Sequence, residues 1–398
     1  MKVGISSAGR FHTFDLARQL ELRGYLSRLY TAYPRWKVDD IPTLKVNTFP
    51  WLVASQFALR RLGLRVAAEH LNPIAIGTFD RWMARRIDSF DIFHSLSCFA
   101  VESHQVARHL GALTICDRGS SHILYQDRIL REEYRHWNLP FSGNNPRLID
   151  REVAEYDFCD LICVPSRFTY RSFVEMGVPE AKLRKVTYGV DVRLFRPVAK
   201  HDRIFRVIYA GALSLRKGIL YLLQALDGLK LPHFEVWLIG SMLPEMRDLL
   251  AKFEARTRFR YLGQIPRTDM YKYYSQGSVL VLPSIEEGLA LVQAQAMACG
   301  LPVIATANTG AEDLFTGGVE GLIVPIRDSE AIREKLLYLY ENPRVRDEMA
   351  AAAMRRVQAL GGWGTYGEQM AAVYQAALAE RCQGSAEDRN RHVSAPEI

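Results

Sequence analysis

Three things are scarce in this 398-residue chain, and each scarcity excludes something. Cysteine comes first: Cys98, Cys116, Cys159, Cys163, Cys299 and Cys382 show no metal-ligand spacing. Cys159 and Cys163 flank the start of an apolar run, but no second pair completes a tetrahedral zinc site. They read as reduced, buried residues of a cytosolic protein. Long apolar runs are also missing. None approaches the ~18 residues that span a bilayer, and the opening MKVGISSAGRF has no cleavable h-region, so a cytoplasmic protein is expected. The third absence is Asp-x-Asp, a pair that commonly holds a divalent cation against a diphosphate. Phosphate chemistry would then fall to cationic side chains and main-chain amides, with no metal and no cofactor. No internal repeat or low-complexity tract occurs.

What remains is an ordinary globular composition, 48% hydrophobic and 24% charged. The length suits two domains. The net charge of +7 is uneven: residues 1–200 hold 29 Lys and Arg against 21 Asp and Glu, the rest 22 against 23. A basic first half suits an anionic partner, or simply a soluble surface. Nucleic acid is excluded as partner because no RNA- or DNA-binding motif accompanies the charge.

Short apolar runs alternate with longer amphipathic segments. Strands are predicted at 2–7, 91–95, 113–117, 161–166 and 185–189, then at 205–211, 234–240, 258–263, 279–284, 302–306 and 321–325. Runs such as VLVLPS suit strands buried on both faces of a parallel sheet. The alternation predicts an α/β chain of two Rossmann-like, doubly wound parallel-sheet domains with a cleft between them, where ligands bind at strand carboxyl ends. FRPVAKHDRIF breaks the pattern, giving domains over 1–197 and 198–361. Residues 382–398 lack periodicity and read as a flexible tail.

The segment PSIEEGLALVQAQAMACGLPVIA, residues 283–305, carries most information. A strand ends at Ser284, a helix-compatible run starts near Leu289, and Gly300 stands where a helix ends. Amides of Gly288, Leu289, Ala290, Leu291 and Val292 would form an anion site beside the Glu287 carboxylate. That pairing makes sense for a nucleotide-sugar, whose phosphates take amides while its hydroxyls take the carboxylate. In YAGALSLRKG a strand ends at Gly211, and Arg216 and Lys217 follow on the loop. Such cations suit a diphosphate, or are solvated loop charges. Near the start, SAGRFHTF places Gly9 at a strand-to-helix turn before Arg10 and His12, without a full GxGxxG.

With these motifs in hand, the chain resembles the retaining GT-B glycosyltransferases of family 4. AMACGLPVIA, the segment 160–197 and ANTGAEDLFTGGVEGLIVP with Glu312 carry the likeness, strongest from 160 to 325. It implies transfer of a hexose from a nucleoside-diphosphate sugar to a saccharide or lipid-linked acceptor. It further implies retention by front-side attack, a donor phosphate oxygen helping to deprotonate the acceptor. Glu287 and His122 would contact the hexose near the reacting carbon, with Asp117 and Arg118 behind them; a lone histidine is otherwise more often structural. Gly9 would face donor phosphate and acceptor, and residues 362–381 would form a helix crossing back to the first domain. Three positions depart from the family pattern. Gln295 replaces a glutamate assigned to the ribose diol, Ala212 replaces an arginine, and Ala290 replaces a glycine. An amide at 295 loses a charged acceptor, which keeps open a non-catalytic sugar-nucleotide binder. An epimerase or hydrolase on the same scaffold is the other alternative.

Residues 49–66, with Arg60, Arg61 and Arg65, and residues 79–87 mix large apolar groups with arginine. Such helices either lie on an anionic membrane surface, making the protein peripheral on the inner face, or turn an apolar stripe to the core.

Overall fold

The computed structural model describes residues 1–52, 54, 61, 62, 65–141, 143–254 and 257–393. Two parallel sheets dominate. The first has seven strands in the order β3-β2-β1-β4-β5-β6-β7, the second six in the order β10-β9-β8-β11-β12-β13. The first comprises β1 (Val3–Ser7), β2 (Leu26–Thr31), β3 (Val46–Thr48), β4 (Ile92–Leu96), β5 (Leu113–Asp117), β6 (Leu161–Val164) and β7 (Leu183–Lys185). The second comprises β8 (Phe205–Ala210), β9 (Phe234–Ile239), β10 (Arg260–Gly263), β11 (Val279–Leu282), β12 (Val303–Thr306) and β13 (Gly321–Val324). Every strand pair is parallel. Both sheets are covered by helices, which is why β1, β4, β5, β6, β8, β11 and β12 are buried along their whole length.

Strand order reverses between β1 and β4 and again between β8 and β11, so each sheet opens a crevice at its carboxyl edge there. Helix starts are fixed locally. Ser166 caps the helix Arg167–Glu175 through the Thr169 amide, and Asn145 with Pro146 opens the helix Pro146–Phe158.

The sheets are not joined only by the connection 186–204. Ile129 and Leu130, on the first-domain helix Ile123–His136, pack in one core with second-domain Ile219, Leu222 and Leu223. Beside them the buried Glu133 accepts from Tyr221 Oη at 2.9 Å and from Arg327 Nε at 2.8 Å. The last helix, Trp363–Val393, returns to the first domain: Arg23 donates to the Gly364 carbonyl at 2.8 Å. A Cβ on Gly367 would lie 2.5 Å from Gln19 Cβ, so only glycine lets this helix approach the first-domain helix His12–Leu22 so closely.

Several sequence expectations need correction. Strands β2 and β3 were not anticipated, because LSRLYT carries an arginine and VNT is three residues long. The strand expected at 185–189 is Leu183–Lys185; after Val186 the chain leaves the sheet, and Gly189 presses on the Gly362 backbone. The expected tail is helical as far as Val393, since its Ala, Glu, Arg and Gln favour helix and no proline stops it; residues 394–398 lie outside the described residues. In 79–87, Phe79 and Met83 are buried while Arg81, Arg85 and Arg86 are exposed, the core-facing arrangement. Of the 49–66 segment, residues 53, 55–60, 63 and 64 lie outside the described residues. No helix among the described residues is long and apolar enough to cross a membrane.

Candidate active site

The second domain's crevice is built by close backbone approaches. Gly240 (φ 145°) would carry a Cβ 1.8 Å from the Gly211 carbonyl oxygen, and Gly218 (φ 63°) one 1.8 Å from that of Pro283. Only glycine allows either contact, and the second presses the 211–218 loop against the end of β11. Lys217 thereby meets Glu287, its ammonium donating to Oε1, with Ser284 Oγ 3.4 Å from the same oxygen. Burial, with Arg216 beside it, pulls the Lys217 ammonium down to about 7. The helix expected near Leu289 is Leu291–Ala298. No side chain caps it, and the Leu291 and Val292 amides have no acceptor among the described residues. Gly300 (φ 78°) ends it as expected. A cavity of about 570 Å³ opens beside this rim, lined among others by Gly211, Ala212, Arg267, Tyr274, Val292 and Gln295. Within it the Tyr274 hydroxyl is buried and unpartnered.

Sequence reasoning missed Glu286. It is fully buried and joins the domains: Ser121 donates to Oε1 through its amide at 3.0 Å and its hydroxyl at 2.7 Å, and Gln126 Nε2 donates to Oε2 at 2.8 Å. Arg216 Nε reaches the same Oε2 at 2.8 Å, while another Arg216 nitrogen lies 3.0 Å from Ser120 Oγ. Burial alone would push the Glu286 carboxyl up; Arg216, Gln126 and Ser121 together hold it at about 2. The only sequence signal was a second glutamate in PSIEEG, which on a loop reads as a solvated charge. Both cations proposed for a diphosphate are therefore engaged, Arg216 by Glu286 and Lys217 by Glu287. Next to them Gly288 touches the first domain: a Cβ there would lie 1.8 Å from the Gly119 carbonyl oxygen, and its own carbonyl accepts from Ser166 Oγ at 2.6 Å.

On the first-domain side, His122 is 3% exposed and caps the helix Ile123–His136, its Nδ1 accepting from the Leu124 amide at 3.2 Å. Its ring lies 4.9 Å from those of both Tyr156 and Phe173. Burial, then Arg118, lowers it to about 4. Among the described residues its hydrogen-bond and ring partners do not include Glu287. Arg118 is buried on Glu152 at 2.5 Å and bonded to Ser121, Ser97 and Gln126. Glu312 holds Arg171 across the domains at 2.8 and 3.0 Å. Gly9 sits in the turn after β1, its carbonyl accepting from Ser7 Oγ at 2.7 Å, with the Phe11 ring over it. Asp117, at the end of β5, accepts from His12 Nε2 at 2.8 Å and from His94 Nε2 at 3.0 Å. Among the described residues no three His, Cys, Asp or Glu side chains converge as metal ligands.

Two doubly wound parallel sheets facing one cleft make the GT-B fold. Residues 193–356 match the family model described as glycosyl transferases group 1. A GDP-mannose-dependent monoacylated alpha-(1-6)-phosphatidylinositol monomannoside mannosyltransferase of Corynebacterium glutamicum is 26% identical over 258 residues, 60% of this chain and 66% of that protein. Against curated relatives of this kind the matched stretch spans about half to two thirds of their length. Among solved structures, sucrose-phosphate synthase from Thermosynechococcus elongatus matches 96% of this chain and 100% of its own, with TM-score 0.75 and 20% identity. Anabaena HepE in complex with UDP and glucose matches 94% and 99%, with TM-score 0.68 and 17% identity. At such identities the likeness is one of fold.

Proposed function

We propose that the protein transfers a hexose from a nucleoside-diphosphate sugar to a saccharide or lipid-linked acceptor, with retention at the anomeric carbon and without a divalent metal. The observation that carries this reading is the juxtaposition of the 570 Å³ cavity, the uncapped helix at Leu291 and the Lys217–Glu287 pair. The nucleoside fills the cavity against Val292 and Gln295. Its diphosphate draws the Leu291 and Val292 amides and Lys217, freeing Glu287 for sugar hydroxyls. The bound UDP and glucose of HepE support such a donor. A thermal-shift series with UDP, GDP and ADP and their hexose conjugates tests it, since a ligand of the folded state alone raises apparent stability. If none shifts the melting temperature, the reading fails.

A second reading has its own support. Gln295 and Ala212 depart from the family pattern and Glu286 occupies Arg216, which suits a non-catalytic sugar-nucleotide binder; tight nucleotide binding without turnover on any acceptor would favour it. For the acceptor side we propose peripheral docking on an anionic membrane at the cytoplasmic face. Trp36, Leu44 and Trp51 are 79%, 87% and 72% exposed in the stretch that also carries Arg35, Lys37 and Lys45. Failure to pellet with anionic vesicles at low salt would exclude the docking.

A further inference from the structure

The 570 Å³ cavity to which the nucleoside is assigned has no acid among its described lining residues. Its charged lining side chain is Arg267, which only donates hydrogen bonds, and its other polar side chains are Ser241, Gln264, Tyr274 and Gln295. Hydroxyls of a bound nucleoside therefore meet neutral acceptors alone.

Of these side chains Gln295 stands on the helix that is proposed to take the diphosphate. Helix Leu291–Ala298 carries two glutamines, and they differ. Gln293 is buried and spent on structure: its Nε2 donates to the Thr309 carbonyl at 2.9 Å, and its Oε1 accepts from Thr309 Oγ1 at 3.3 Å. Gln295 is half-buried and lines the cavity, and its side chain makes no hydrogen bond among the described residues. It lies about one helical turn, roughly 5 Å, beyond the Leu291 and Val292 amides. Side chains on a helix lean back towards its amino end, so the Gln295 amide approaches the group next to a diphosphate held there. In a nucleotide that group is the pentose.

We propose that Gln295 sets the pentose specificity, and that the protein binds 2′-deoxyribonucleoside-diphosphate hexoses, dTDP-hexoses among them, about as well as ribonucleoside ones. The inference rests on the nucleotide-sugar reading above, but on its binding part alone. An amide accepts from one pentose hydroxyl through Oε1 and donates from Nε2 to the oxygen of the other. Neither bond is charge-assisted, and charge-assisted bonds are about twice as strong. When the 2′-hydroxyl is missing, the half-exposed amide turns its spare group to water and little affinity is lost. A glutamate in the same place accepts from both hydroxyls with an ionised group, and a deoxyribose leaves one of its oxygens without that partner.

Calorimetric titration with UDP against 2′-deoxy-UDP, and with GDP against 2′-deoxy-GDP, tests the proposal on the unaltered protein and on Gln295→Glu. The unaltered protein is expected to bind the members of a pair within about tenfold of each other. Gln295→Glu should raise the preference for the ribonucleotide by a further factor of about ten. The added carboxylate repels both diphosphates alike, so the ratio within a pair isolates the pentose from any general loss of affinity. A preference for the ribonucleotide beyond about tenfold in the unaltered protein overturns the proposal. A preference that Gln295→Glu leaves unchanged overturns the assignment to Gln295. If the unaltered protein binds no member of either pair, the nucleotide-sugar reading itself is what fails.

Discussion

Replacing Glu286 by alanine tests how much one buried carboxylate contributes to holding the two domains together. The substitution leaves Arg216, Gln126 and the Ser121 hydroxyl and amide without the acceptor they share. Removing one partner of a buried ion pair costs about 3–5 kcal/mol. A second route gives a similar figure: a carboxyl held at about 2 against its ordinary 4.5 corresponds to roughly 3 kcal/mol of folding free energy near neutral pH. For a unit of about 200 residues, each kcal/mol moves the melting temperature by about 2–4 °C, so Glu286→Ala should melt roughly 10 °C lower by calorimetry. The pH dependence follows from the sign of the shift. Because the folded value is depressed, the contribution is complete above about 4.5 and is lost as pH falls towards 2. Between those values the difference between the unaltered protein and Glu286→Ala should shrink. A variant melting within about 2 °C of the unaltered protein, or a gap that does not narrow in acid, would refute the reasoning.

Three further outcomes are expected. Glu287→Ala should abolish sugar transfer while changing nucleotide affinity by less than about tenfold, because its carboxylate is assigned to hexose hydroxyls; calorimetric titration with UDP and GDP beside a turnover assay checks this. Gly288→Ala must move the Gly119 backbone, since its Cβ would lie 1.8 Å from that carbonyl; an opened cleft should appear as an increased radius of gyration in solution scattering, with unchanged scattering as the contrary result. His104 is fully buried, and burial lowers it to about 3, with the Ile115 backbone pushing the other way. Its unfolded form binds a proton first, so stability should fall as pH drops from about 6.5 towards 3; His104→Leu should remove that slope in denaturant melts.

The candidate site was only partly legible in the sequence. Glu287, Lys217 and the start of the 291–298 helix were readable because each sits on a short segment whose strand, loop and helix signals are local. His122 was singled out by motif position, yet its nitrogen caps its own helix, a role set by the two residues that follow it. Arg216 reads equally well as a phosphate ligand or as a solvated charge; the folded chain gives it to Glu286, which loop position alone made look solvent-facing.

Periodicity and runs of apolar residues, which act over a few positions, were enough to specify two parallel sheets and the loops at their carboxyl edges. The pairings that turn those loops into a site join residues far apart in the chain: His12 with Asp117 across 105 positions, Ser121 with Glu286 across 165. No local pattern encodes them. They exist because the switch points of both sheets face one cleft, where each buried charge must find its partner on whichever segment the fold brings alongside.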